Sequence, residues 1–223
     1  MSAGKTVAGV DGAKGEWVVA IFDGAVVTWS VAGSVDAVLD STAGCSVVAV
    51  DMPLSMPEES YRISELAAKA FLGPARSSIF YTPVSEVLDA EDYREACDIS
   101  RRITGKAISK QTWHLMPSVR AWRAAEFDPD RVVEVHPECS FRAMATTTDF
   151  ASKKSGRGAG QRMAALSTWI DPHNLAVGLA ELAPGPALDD ALDAAAATWS
   201  AWRYSRGVHQ VFGAATGPDR IVY

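Results

Sequence analysis

The residues best placed to do chemistry are acids set at the ends of apolar runs. Asp11 follows Thr6–Val10, Asp51 follows Ser46–Val50, and Glu134 lies within Arg131–Val135 with Glu138 just beyond. Asp190 and Asp193 stand three residues apart in a late Ala-rich segment and so share one face of a helix. A lone carboxylate carried into an interior is costly and takes up a proton unless its charge is compensated. Several brought together repel one another, and a cation resolves the repulsion. Oxygen donors of this kind select Mg²⁺ or Mn²⁺ over Zn²⁺. Such a centre would activate water and clamp a phosphodiester. Each acid also has a structural reading. An Asp before Gly12, or before Met52-Pro53, suits a turn. Glu134 could face outward from a strand, and Asp189, Asp190 and Asp193 could simply start a helix. The joint pattern is harder to explain that way than any one member.

A phosphodiester site also needs cations. From Ile99 to Ala125 the chain carries Arg101, Arg102, Lys106, Lys110, Arg120 and Arg123 without an acid. Such a run is either a solvated helical face or a guide for phosphates. Arg76, Lys106 and Lys110 are the candidate phosphate ligands, with Trp113 and Trp122 as candidate stacking platforms. Lys153 and Lys154 lie in a Gly/Ser-rich segment that reads as a surface loop able to close over a ligand. Gly156–Gly160 is no phosphate-binding loop, because no strand precedes it and no Lys-Ser/Thr follows. His114, His136, His173 and His209 are scattered; His136, between Glu134 and Glu138, is the one nearest the acids.

The elements that must hold these residues read as follows. Strands are expected at Thr6–Val10, Glu16–Phe22 and Ala25–Val31, with a tight turn near Gly12–Gly15 and a hairpin signal at Asp23-Gly24. Ser34 caps a short helix to about Ser41, and the uninterrupted apolar run Ser46–Val50 suits a central strand. Residues 53–130 read as a mostly helical insertion within a single domain spanning 1–223, with helices near Glu58–Leu72, Val84–Arg102 and Pro117–Ala125. Arg131–Val135 resumes strand character. Helices follow near Cys139–Met144, Gln161–Trp169 and Leu188–Tyr204, the last beginning with Asp189, Asp190 and Asp193.

Three strands, a helix and a strand, with acids on strands one and four and on a late helix, resemble the ribonuclease H-like superfamily. The wording is closer to one branch. Gly9-Val10-Asp11-Gly12-Ala13, Val50-Asp51-Met52-Pro53-Leu54 and Arg76-Ser77-Ser78-Ile79-Phe80 fit it. So do Thr104-Gly105-Lys106, Ser109-Lys110-Gln111, Glu134-Val135-His136-Pro137-Glu138 and Asp189-Asp190-Ala191-Leu192-Asp193-Ala194. The set resembles domain-of-unknown-function family 429, described as predicted ribonuclease H-fold nucleases. The resemblance implies an α/β fold: a mixed central sheet flanked by helices, with a mostly helical insertion after the fourth strand. It places the strand acids at Asp11 and Asp51 and the late-helix acids at Asp190 and Asp193. Superfamily members often carry a Glu on the helix before strand four. Here that helix offers Asp36 and Asp40, so the fourth ligand falls to Glu134 or Glu138.

Composition bounds the reading. The 223 residues carry a net charge of −6, which argues against indiscriminate coating of nucleic acid. Cys45, Cys97 and Cys139 are too widely spaced for a metal ladder or a disulfide framework. No apolar run is long enough to cross a bilayer, and a cytoplasmic protein is expected. The expectation is a Mg²⁺- or Mn²⁺-dependent nuclease acting on nucleic acid or another phosphodiester. Asp11, Asp51, Glu134, Asp190 and Asp193 would be its catalytic and metal ligands. The alternatives are a phosphotransferase of the sugar-kinase and actin-like type, and a non-catalytic binding module.

Overall fold

A computed structural model describes residues 5–223. In chain order the elements are β1 (Val7–Ala13), β2 (Glu16–Phe22), β3 (Val27–Ala32), α1 (Val35–Ser41), β4 (Val47–Val50), α2 (Ile63–Leu72), α3 (Tyr93–Thr104), α4 (Lys110–Ala124) and β5 (Val132–Glu134). They continue with α5 (Pro137–Met144), α6 (Gly156–Leu166), α7 (Pro172–Glu181), α8 (Leu188–Ser205), β6 (Val211–Gly213) and β7 (Arg220–Val222). No helix among the described residues is long and apolar enough to cross a membrane.

Local chemistry sets the first turns. Lys14 and Gly15 both adopt positive φ (51° and 91°), the two-residue geometry whose twist matches paired strands. The β2–β3 connection closes around Asp23, whose Oδ1 accepts the N–H groups of Ala25 and Val26. Ser34 caps α1 by accepting the Ala37 N–H.

Strands β1 to β5 form a five-stranded sheet in the order β3-β2-β1-β4-β5, and β6 pairs with β7 in a separate two-stranded sheet. β1 runs antiparallel to β2 and parallel to β4, and β4 runs parallel to β5. This mixed α/β sheet flanked by helices is consistent with a ribonuclease H-like fold. Helix α8 lies across β1, β2 and β4. It comes close because its inner face is built of Ala194, Ala195, Ala197 and Ala201, all fully buried. The strand side is equally bare. A Cβ on Gly9 would lie 2.2 Å from the Ala194 carbonyl and from the Thr198 nitrogen. Thr198 donates its hydroxyl to Ala20 O of β2 at 3.0 Å, and Trp29 of β3 donates its indole N–H to Ala191 O at 3.0 Å. Polar pins and small-residue packing together fix the register of α8 on the sheet.

The described chain forms two compact units. One comprises the residues up to Met52, Glu126–Gln210 and Val222–Tyr223, and so holds the sheet and α8. The other comprises Pro53–Ala125 and Val211–Ile221. Val84, Val87, Ala96, Cys97 and Met116 form a buried cluster in the second unit. In the same unit Asp219 accepts hydrogen bonds from the Ile63 N–H, the Ser64 hydroxyl and Arg62 Nε.

Several boundaries differ from the sequence reading. The helix expected from Glu58 begins at Ile63, where Asp219 satisfies its first N–H. The expected Val84–Arg102 helix splits into a 3-10 turn at Ser85–Asp89 and α3, because Asp92 caps the Glu95 N–H and starts a new helix. α4 does not begin at Pro117 but at Lys110, capped by Ser109, and carries Pro117 within it. The glycine-rich Gly156–Gly160 opens α6 under the Ser155 cap. Helix α7 and strands β6 and β7 have no counterpart in the sequence reading.

Candidate functional site

Period two along the strands decides which acids meet. Gly9 faces α8, so Asp11, two residues on, faces it too. Gly9 pairs with Ala49 in the parallel register, which gives Asp51 the same face as Asp11. α8 brings Asp189 and Asp193, one turn apart, to this face; both are buried. Three separate elements thus deliver Asp11, Asp51 and Asp193 to one place.

The charge state of the cluster reflects its setting. Burial raises the Asp11 carboxyl well above the usual range, and the charges of Asp51 and Asp193 push it further. Asp51 keeps some open surface, yet desolvation by the surrounding protein lifts it to about 6, with Lys153 and a hydrogen bond shared with Asp11 pulling the other way. Asp193 is lifted to about 7 by burial, again opposed by Lys153 and reinforced by Asp51 and Glu138.

Lys153 is the counter-charge. Its Nζ lies 2.6 Å from Asp193 Oδ2 and 3.7 Å from Asp189 Oδ2, while Lys154 Nζ lies 2.6 Å from Asp189 Oδ2. Partial burial lowers the Lys153 pKa, but the surrounding carboxylates more than offset this and hold it above its ordinary value. The segment that carries Lys153 is braced from behind. The buried Arg162 side chain donates to Ala151 O and Gly158 O and pairs with Glu138 Oε1 at 2.5 Å. Gly158 is required there, since a Cβ would lie 2.1 Å from Ser152 O.

The expected site residues divide accordingly. Asp11, Asp51 and Asp193 come together. Asp190 adds to the negative field at Asp11, but its Oδ2 accepts the Ala187 N–H at 2.9 Å and so caps α8. Glu134 aligns with Val50, one residue out of phase with Asp51, so its side chain points to the opposite face of the sheet. Glu138, in the first turn of α5, is the acid of that segment whose charge reaches Asp51 and Asp193. Arg76, Lys106 and Lys110 all belong to the second compact unit. Of the other basic residues there, Arg101 pairs with Asp98, Arg102 pairs with Glu86, and Arg120 donates to Leu88 O and Ala90 O. Lys153 reads in sequence as a cation of a surface loop able to close over a ligand, not as a partner of the acids. The Ser155 cap and the missing local acids were the available signals that it is anchored elsewhere.

The donor chemistry suits a hard divalent cation. All the convergent groups are carboxylates, and Asp193 Oδ1 is buried without a hydrogen-bond partner. As the described residues stand, no three His, Cys, Asp or Glu side chains are close enough together to hold an ion, and the ammonium of Lys153 supplies the positive charge.

A mixed sheet in which Asp11 within β1 and Asp51 just past β4 meet an acid from an overlying helix defines an α/β protein with a buried carboxylate centre. The chain belongs to the family described as "Protein of unknown function (DUF429)", which it matches over residues 9–216. Comparison with curated proteins and with solved structures returns no match.

Proposed function

We propose that the protein is a Mg²⁺- or Mn²⁺-dependent phosphodiester hydrolase acting on nucleic acid. The observation that carries this reading is the convergence of Asp11, Asp51 and Asp193 on one sheet face, where burial and mutual repulsion oppose their ionisation. Groups held at such cost in stability point to function. Asp11, Asp51 and Asp193 would hold the cation, with Glu138 as the fourth donor. A hard divalent ion in that position supplies a lowered pKa for attacking water and neutralises phosphate charge.

The chain's own residues do the rest. The parallel β1–β4 register sets the spacing of Asp11 and Asp51 on one face of the sheet. Arg162 orients Glu138. Lys153, about two-fifths exposed, offers an ammonium at the rim that can meet a non-bridging phosphate oxygen. The test is incubation with single-stranded, duplex and branched DNA and RNA in Mg²⁺ or Mn²⁺. Cleavage is expected, and Asp11→Asn should reduce it by more than about 100-fold, since even outer-shell partners are worth roughly 10–100-fold. Cleavage undiminished in Asp11→Asn would overturn the proposal.

A further inference from the structure

The second compact unit contains a cavity of about 370 Å³, within the range of small-molecule pockets. Three sequence blocks with no role in the carboxylate centre contribute to it: Arg76–Phe80 through Ser77, Thr104–Lys106 through Lys106, and Ser109–Gln111 through Ser109. Two tyrosines form an aromatic wall. The rings of Tyr61 and Tyr81 lie 4.1 Å apart between centroids, tilted by 31°. Lys69 lies 4.5 Å over the Tyr81 ring and donates to the carbonyls of Arg76 and Ile79, so it builds the wall. Lys106 approaches the Tyr61 ring at 5.8 Å and is largely exposed. Among the described residues that line the cavity, two are lysines and none is acidic, in a chain of net charge −6.

We propose that this cavity binds a nucleotide, with the base on the face of Tyr61 turned away from Tyr81 and the phosphate at Lys106. Two independent preferences meet there. An aromatic wall favours a planar π-system. An exposed lysine in a cavity lined by no acid favours a phosphate. A free phosphate would use only the second and a nucleoside only the first, so the combination selects the molecule that carries both. The inference goes beyond the hydrolase reading, because every residue it uses lies in the second unit.

Calorimetric titration of the full chain in EDTA tests it with the carboxylate centre kept free of metal. The probes are nucleoside 5′-monophosphates, the parent nucleosides, inorganic phosphate and a short single-stranded oligonucleotide. Nucleotide should bind at least tenfold tighter than nucleoside or phosphate. Lys106→Ala should weaken it about tenfold, and Tyr61→Ala should weaken nucleotide but not phosphate. If the oligonucleotide binds tighter than the mononucleotide, the site holds one nucleotide of a strand; the reverse order assigns it to a free nucleotide. Both support the proposal. No binding by either, equal binding of nucleoside and nucleotide, or affinity unchanged in Lys106→Ala in a protein of normal circular dichroism would overturn it. Because no metal is present, failure here leaves the hydrolase reading standing, and success does not establish it.

Discussion

At the scale of single residues the carboxylate centre is a balance between one buried acid and one lysine. Asp11 lies among like charges and is raised by burial, so its ionised form costs stability. A carboxyl raised in the folded state contributes stability that is complete below its ordinary value and lost as pH rises through the folded one. Asp51 and Asp193, titrating near 6 and 7, set that window for the cluster. Asp11→Asn should therefore raise the metal-free Tm at pH 8 by a few degrees, since about 1 kcal/mol shifts Tm by roughly 2–4 °C at this size. At pH 5, below the titration of Asp51 and Asp193, the repulsion that Asp11 meets is relieved and the gain should largely vanish. Lys153→Met should do the opposite and lower Tm, because it strips the counter-charge from the buried Asp193. Differential scanning fluorimetry across pH checks both signs.

At the scale of elements the site depends on how close α8 lies to β1. Gly9 and the alanines of α8 make that approach possible, and Thr198 pins it. Gly9→Ala would drive a methyl group into the Ala194 carbonyl and the Thr198 nitrogen. Overpacking of this kind costs roughly 1–3 kcal/mol. The variant should melt several degrees lower and show a reduced Tm rise on adding Mn²⁺, because Asp193 moves with α8 while Asp11 stays with β1. An unchanged Mn²⁺ response would show that the helix position does not govern the site. The sequence marks this helix and its three acids but not its partner surface, since an Ala-rich run packs equally well against many faces.

At the scale of the whole molecule, an acidic chain that is to meet nucleic acid can do so only through a few local cations. Arg101, Arg102 and Arg120 are engaged within their own unit. The expected phosphate ligands Arg76, Lys106 and Lys110, with Lys153 at the rim of the carboxylate centre, are the cations to count. Each neutralised phosphate contributes about 0.7–0.9 to the salt slope. Binding of a single strand by Asp11→Asn should therefore weaken with salt at a log–log slope of roughly 2–3, well short of the ~10 of an extensive phosphate binder. Fluorescence anisotropy across ionic strength measures this directly. A slope near 10 would mean that many more cations touch the strand.

Much of the fold was legible because its signals are local. Alternating and β-branched runs set β1 to β5 nearly in place, Ser34 caps α1, Asp11 and Asp51 stand out where their apolar runs end, and Asp193 stands out by its place in the first turns of an Ala-rich helix. What remained hidden depends on partners distant in sequence. Glu134 and Glu138 could not be ranked until the β4–β5 register put the first on the far face and α5 turned the second toward the cluster. The Asp219 contact that starts α2 comes from 156 residues away. Lys153 became the counter-charge of the centre only when the chain folded its segment against α8. The sequence by itself determined the strand order of acids and the helix that completes them, because period and capping act within a few residues. Only the tertiary structure decided which charges share a face, because that depends on register and on a lysine brought back forty residues to Asp193.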